Sequence, residues 1–226
     1  MNERPALGLI VVAAGFLGIV LDIHSVFGFA AESFLTIERS SIVSAEDDGG
    51  NGGGDNNELR AELDVEGVQI PTNGTHGAFG YGIITEDGDD DDNDDDATML
   101  VTHTHSGLLD SESQRFIEDP IWHNHFVRLG DVEQCGGEDR GVIDITWQSP
   151  GEVGIDDNIA TISDVPTGEF EGRHSMTGES LSITLGQAAS VSDVISFKLD
   201  PVFEEDGLKA VCLTDIRSAE EVVNPD

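Results

Sequence analysis

Residues 101–126 read VTHTHSGLLDSESQRFIEDPIWHNHF, two strand-like segments joined by a polar connection. Four of the seven histidines of the chain lie here, arranged as two His-X-His pairs. In a β-strand, residues i and i+2 point to the same face, about 6.6 Å apart. The sequence therefore predicts that His103 and His105 share one strand face and that His123 and His125 share another.

The remaining apolar residues also favour strands. Eight short segments contain β-branched or aromatic residues and are bounded by Gly, Pro, Asp or Asn, namely residues 61–70, 76–85, 98–105, 121–129, 141–149, 179–185, 194–203 and 208–216. No amphipathic period long enough for a major helix appears. Strands without intervening helices predict an all-β, antiparallel β-sandwich or barrel of about eight strands, with the sandwich as the preferred form.

The N-terminal segment is typical of export. Residues 6–21 form an uninterrupted apolar run preceded by Arg4, slightly long for the apolar part of a signal peptide and slightly short for a membrane span. Gly28 and Ala30 supply the small residues of a cleavage site. Residues 1–31 are therefore expected to be a cleaved signal peptide, with a retained membrane anchor as the alternative. We expect no other contact with a membrane.

Composition then divides the rest of the chain. Residues 32–57 are expected to form a flexible acidic linker, because their Gly, Asp and Asn residues cannot bury a core. A single β-domain is predicted over residues 58–217, interrupted by a self-repelling acidic loop at residues 86–96. Residues 218–226 are expected to be a C-terminal tail.

The charge of the chain indicates adaptation to salt. Asp and Glu total 46 against 10 Lys and Arg, for a formal net charge of -36. The acidic runs at residues 45–58 and 86–96 hold only 14 of these acids, so the excess extends over the folded part. Its self-repulsion is screened at high ionic strength, where the Debye length is about 3 Å at 1 M salt. We expect a halophilic archaeon as the source, with an ordinary acidic secreted protein as the alternative. A nucleic-acid partner is excluded, because phosphates are bound through Lys and Arg.

Two further features agree with an extracellular location. Cys135 and Cys212 are the only cysteines, and an even pair in an oxidising compartment predicts one disulfide. Two buried thiols are the alternative. Asn73 begins the tripeptide NGT, which is an N-glycosylation sequence.

The paired histidines raise the question of a metal site. If their strands are neighbours, four imidazoles converge, and imidazole is a good ligand for Zn, Cu, Ni or Fe. Asp110 is a candidate fifth ligand. An open coordination position would allow hydrolytic or redox chemistry. Histidines that only pack and hydrogen-bond within the scaffold are the alternative.

Three resemblances bear on this question. The segment HTHSGLLD (residues 103–110) resembles the first half of the cupin motif, in which His-X-His and a later Glu bind metal in a double-stranded β-helix, with Asp110 in place of that Glu. Histidine pairs in an all-β, single-disulfide chain are similar to those of copper-zinc superoxide dismutases. The segments DPIWHNHF and LKAVCLTDI resemble exported archaeal proteins, which implies an exported β-domain and no particular chemistry.

Two classes of function follow from the sequence. The first is a noncatalytic secreted or cell-surface protein with a surface partner, in which the histidines are structural. The second is a transition-metal-binding protein in which His103, His105, His123, His125 and Asp110 hold Zn or Cu, with a metalloenzyme as its narrower form.

Overall fold

Twelve β-strands and two short 3-10 helices form the regular structure of the residues that the computed structural model describes. The described residues are 33–45, 58–74, 76–85, 97–136, 140–185, 194–204 and 207–219. The 3-10 helices are Ser33–Leu35 and Glu133–Cys135. The strands are β1 (Ile37–Ala45), β2 (Glu58–Val65), β3 (Phe79–Thr85), β4 (Ala97–Thr104), β5 (His123–Gly130), β6 (Gly141–Ile145), β7 (Glu152–Asp156), β8 (Ile159–Pro166), β9 (Gly168–Arg173), β10 (Ser180–Leu185), β11 (Val194–Glu204) and β12 (Gly207–Ser218).

Six of these strands close into a barrel in the order β3, β4, β5, β6, β12 and β11, and β11 pairs back with β3. All the pairings are antiparallel. Closure removes the open edges that a flat sheet would present. The predicted antiparallel all-β fold is therefore confirmed, in its barrel form.

A second sheet covers the outside of the barrel. It has four antiparallel strands in the order β1, β2, β8 and β7, while β9 and β10 form a separate hairpin. Phe79, Tyr81 and Ile83 of β3 belong to the same buried core as Leu59 and Leu63 of β2. The outer face of β3 is therefore the face that packs against this sheet.

A separate apolar core fills part of the barrel interior. Side chains alternate along a strand, so the residues of β3 between its outward-facing aromatics, Gly80 and Gly82, face inward. The interior core comprises Met99, Val101, Val127, Leu129, Ile195, Phe197 and Leu213. It includes residues of β4, β5, β11 and β12, which places it inside the ring of strands.

The linker predicted for residues 32–57 is wrong at its N-terminal end. The first 3-10 helix and β1 occupy residues 33–45, and β1 pairs with β2 along its length. Phe34 is buried, and the hydroxyl of Tyr81 donates a hydrogen bond to its carbonyl at 2.7 Å. Strand pairing and apolar burial thus order a segment whose composition alone suggested flexibility. The rest of that predicted linker, residues 46–57, lies outside the described residues.

The strand predictions were incomplete rather than misplaced. Each of the eight predicted segments overlaps a strand, while β1, β7, β8 and β9 were not predicted. In β7 and β9 the side chains alternate only between half-buried and exposed, so acidic residues and glycines are tolerated there and the apolar signal is weak. The predicted export segment (residues 1–31) and acidic loop (residues 86–96) lie outside the described residues. Within the described part of the chain, no helix has the length and apolarity needed to cross a membrane.

Cys135 and Cys212 form the predicted disulfide, with Cα atoms 5.3 Å apart. It ties the connection between β5 and β6 to β12. The register of β6 and β12 has a single pair, Gly141 with Cys212, supplemented by the hydrogen bond from the Leu213 N–H to the Arg140 carbonyl at 2.8 Å. The bridge therefore reinforces the barrel seam that has the least backbone pairing among the described residues.

We expect the double variant Cys135→Ser/Cys212→Ser to lose about 4 kcal/mol of unfolding free energy, because the disulfide closes a long loop in the unfolded chain. The measurement is denaturant unfolding in molar salt, with the oxidised protein as reference and the reduced protein as a second sample. An unfolding free energy equal in all three samples would contradict a stabilising role for the bridge.

Candidate metal centre

The register of β4 and β5 brings the two histidine pairs together. His103 lies directly opposite His123, and His125 lies opposite Val101. The ring centroids of His103 and His123 are 4.4 Å apart, and each lies 4.9 Å from the centroid of His125. His105 follows the end of β4, with its ring centroid 5.0 Å from that of His103. All four side chains are buried.

Gly80 makes room for this cluster on the neighbouring strand. It pairs with His103, and a Cβ atom at position 80 would lie 2.7 Å from the His103 Cβ and 2.5 Å from the Thr102 carbonyl oxygen. Neither atom can move without displacing β4. The glycine therefore allows β3 and β4 to approach at the level of the histidines.

The connection between β4 and β5 folds back and places Asp110 against the rings. The side chain of Gln114 holds this connection, since its Oε1 accepts from the Asp110 N–H at 3.0 Å and its Nε2 donates to the carbonyls of Leu108 and Asp119 at 3.1 and 3.3 Å. The hydroxyl of Ser175 donates to the Asp110 carbonyl at 2.5 Å. Asp110 is consequently 3% exposed.

The Nε2 atoms of all four histidines point toward the Asp110 carboxylate. The Nε2 atoms of His105, His125 and His103 lie 3.0, 3.8 and 3.9 Å from Oδ2. The Nε2 of His123 lies 3.2 Å from Oδ1. One buried carboxylate is thus shared by four rings.

Backbone contacts determine the tautomer of two of these rings. His123 Nδ1 lies 2.7 Å from the carbonyl oxygen of Ile121, and His125 Nδ1 lies 2.6 Å from that of Thr146. A carbonyl only accepts hydrogen bonds, so both Nδ1 atoms carry a proton and donate. In the neutral rings, the Nε2 atoms then present lone pairs to an anionic oxygen. Histidines that ligate metals have this same outer hydrogen bond to a carbonyl.

The lone pairs that face one another at this centre have no proton or cation between them. Several buried atoms have no hydrogen-bond partner, namely both ring nitrogens of His103, the Nε2 atoms of His123 and His125, and the Oδ1 of Asp110. Burying polar atoms without partners costs on the order of 1–3 kcal/mol each. A cation at the point where the lone pairs converge would satisfy most of them at once.

Burial also determines the protonation of the centre. Burial lowers the pKa of His103 well below its usual range, and it lowers the pKa of His125 to about 4. Burial opposes ionisation of Asp110, but hydrogen bonding by the surrounding histidines, His105 first among them, outweighs that effect and holds the pKa of this carboxyl well below its usual range. At neutral pH an ionised carboxylate therefore faces the neutral imidazoles of His103 and His125, the state in which these groups bind metals.

Four of the five predicted metal-site residues are arranged as a ligand set. One ligand atom each from His103, Asp110, His123 and His125 lies within 4.8 Å of the other three. Ligand atoms around a tetrahedral zinc ion are about 3.3 Å apart, given bond lengths near 2.0 to 2.1 Å. Small side-chain movements would therefore bring these atoms to coordination distance. His105 instead hydrogen-bonds to the carboxylate, at 3.0 Å.

Sequence reasoning missed the residues that support this cluster. Gly80, Gln114 and Thr146 have no chemical signature of a metal site, and their roles depend on contacts made in the folded chain. Only Gly80 left a usable signal, because glycines alternate with aromatics in FGYG (residues 79–82) and alternation is the period of one strand face.

Comparison with models of known protein families, with curated proteins and with solved structures finds no match to this chain. The chemistry of this chain is therefore inferred from the geometry of the cluster.

We expect Gly80→Ala to displace His103 and to cost about 1–3 kcal/mol of unfolding free energy, because the added methyl group meets backbone rather than a flexible side chain. Gly154→Ala is the matched control, since a Cβ at that strand position meets nothing within 4 Å. Thermal and denaturant unfolding of both variants would test this, and equal stability would show that β4 does not need the glycine.

We expect the chelator-treated protein to lose stability as the pH falls from 6.5, because unfolded histidines take up protons that the buried rings resist. For His125, whose folded pKa is about 4, the loss approaches about 1.4 kcal/mol per pH unit between pH 6.5 and 4. The measurement is the unfolding free energy of the protein and of His125→Gln over this range. The other acidic groups act on both proteins, so an identical pH slope would rule out the contribution of this ring.

Proposed function

We propose that this protein is an exported transition-metal-binding protein whose barrel holds one metal ion on His103, His123, His125 and Asp110. The observation that carries the proposal is the fixed tautomer of His123 and His125, whose unprotonated Nε2 atoms face a buried carboxylate. Three nitrogens and one oxygen then surround the ion. His105 donates a hydrogen bond to Asp110 and orients it.

The donor set favours zinc or copper. Imidazole nitrogen suits both ions, and three imidazoles with one carboxylate match the four-coordinate preference of zinc. Copper(II) prefers a tetragonal arrangement of nitrogen and oxygen donors, which would recruit His105 as a further ligand. The elemental composition of the isolated protein therefore also reports on the role of His105.

The location is part of the proposal. A disulfide is consistent with an oxidising compartment, and the apolar segment at residues 6–21 supplies an export signal or an anchor. Asn73, in the predicted glycosylation sequence, is exposed, and its modification remains a prediction. The acidic composition suits a saline exterior.

A purely structural role for the histidines is the competing function. In that case a proton shared between His123 and Asp110 would take the place of the metal. The same 3.2 Å distance would then be a hydrogen bond between a buried imidazolium and a carboxylate. Elemental analysis separates the two functions because only one of them includes a metal.

The test is plasma mass spectrometry of the full chain, purified in molar salt without a His tag or chelator. We expect about one equivalent of a transition metal, lost in His123→Ala and in Asp110→Asn because each removes a ligand. His174→Ala is the matched control, since His174 lies outside the group of candidate ligands. If His174→Ala keeps the metal and the other two variants lose it, the metal lies in the cluster.

A further variant tests whether His105 acts through its hydrogen bond to Asp110 and not as a metal ligand. Loss of an outer hydrogen bond weakens metal binding by about 10- to 100-fold without abolishing it, so we expect His105→Gln to bind a full equivalent only at higher metal concentration. A protein that contains no metal as isolated and takes up neither Zn²⁺ nor Cu²⁺ would overturn the proposed function.

A further inference from the structure

A cavity of about 480 Å³ occupies the end of the barrel that contains the histidine cluster. Its lining comes from β4, β5, β6, β11 and β12, and from the turns at residues 106–108 and 174–177. The cavity adjoins the interior core, because Val101, Phe197 and Leu213 belong to both the core and the cavity wall. The cavity is therefore the unfilled part of the barrel interior.

The candidate metal centre forms one wall of this cavity. His103, His105 and Asp110 line it, while His123 and His125 do not contribute to its lining. Phe197 and His103 both pair with Gly80, so their backbones lie at the same level of the barrel, and both side chains line the cavity. A molecule in the cavity would contact both apolar side chains and the groups that hold the ion.

Most of the rest of the wall is apolar. Val127, Val142, Ile145 and Leu199 contribute to it, and Met176 and Phe203 lie at its outer part with exposed fractions of 45% and 66%. Ligand sites for small molecules have volumes of about 300–1,000 Å³, mostly apolar walls and a few convergent polar groups. This cavity has all three properties.

The charge of the centre restricts the head group of such a molecule. A divalent ion bound beside the Asp110 carboxylate leaves one positive charge in buried surroundings, and a buried charge requires a partner. Among the residues that the structure describes, the one other formally charged side chain in the lining is that of Lys209, which is exposed. A monoanionic head would neutralise the centre, while a neutral head would leave it charged.

We propose that the barrel binds a small monoanionic molecule with an apolar body, such as a medium-chain carboxylate. Its head group lies next to the charged metal centre, beside His103 and Asp110, and its apolar body lies against Phe197 and Leu199. The inference depends on the proposed function for the position of the head, and on the cavity for the position of the body. It names the class of ligand that this centre would accept.

The test is calorimetric titration of octanoate into the full chain in molar salt, after the metal content has been measured. We expect binding to weaken at least tenfold when the metal is removed and at least tenfold in Leu199→Trp, whose larger side chain fills the cavity. Ile216→Trp is the matched control, because Ile216 is 42% exposed and does not line the cavity.

Val142→Phe is a second cavity-filling variant, which serves as the test if Leu199→Trp does not fold. The metal content of each variant shows whether the barrel has folded. Octanoate binding that survives both filling variants with metal in place would overturn the inference. A metal-loaded protein that does not bind octanoate would overturn it too, and would leave the proposed function standing. A protein without metal would overturn both.

Discussion

The buried carboxylate of Asp110 is the constraint on which the rest of the centre depends. An ionised group that is 3% exposed must be compensated, and the chain surrounds it with four imidazole nitrogens rather than with Arg or Lys. Two of those rings have their protons on the far side, bonded to backbone carbonyls. The arrangement gathers acceptors around a negative charge, which is costly for the protein alone and favourable once a cation is present.

Barrel closure makes this arrangement possible. His-X-His pairs on two adjacent antiparallel strands place four rings on one inner face, where all four are buried. Closure depends on the seam between β6 and β12, which has little backbone pairing of its own and is tied by Cys135 and Cys212. The disulfide at this seam thus supports the enclosure that keeps the cluster buried.

The barrel contributes to two apolar cores, one outside and one inside the ring of strands. Outward-facing residues of β3, such as Phe79 and Tyr81, join the second sheet in one continuous apolar core. Inside, the apolar core fills only the end of the barrel away from the cluster, and an apolar cavity remains beside the candidate ligands. Interiors are normally close-packed, so unfilled space next to polar atoms without partners is the feature on which the proposed ligand site depends.

The sequence by itself determined the all-β class, the disulfide pair and the residue types of the centre, because strand patterning, cysteine number and His-X-His spacing are local properties. The barrel form and the pairing of β1, β7, β8 and β9 as strands were decided by tertiary contacts, and in β7 and β9 the local apolar signal is weak. The convergence of the candidate ligands was also decided by tertiary contacts. These contacts set the register of His103 and His123, hold the connection that carries Asp110 through Gln114, and leave space at Gly80. Most of them join residues that are distant along the chain.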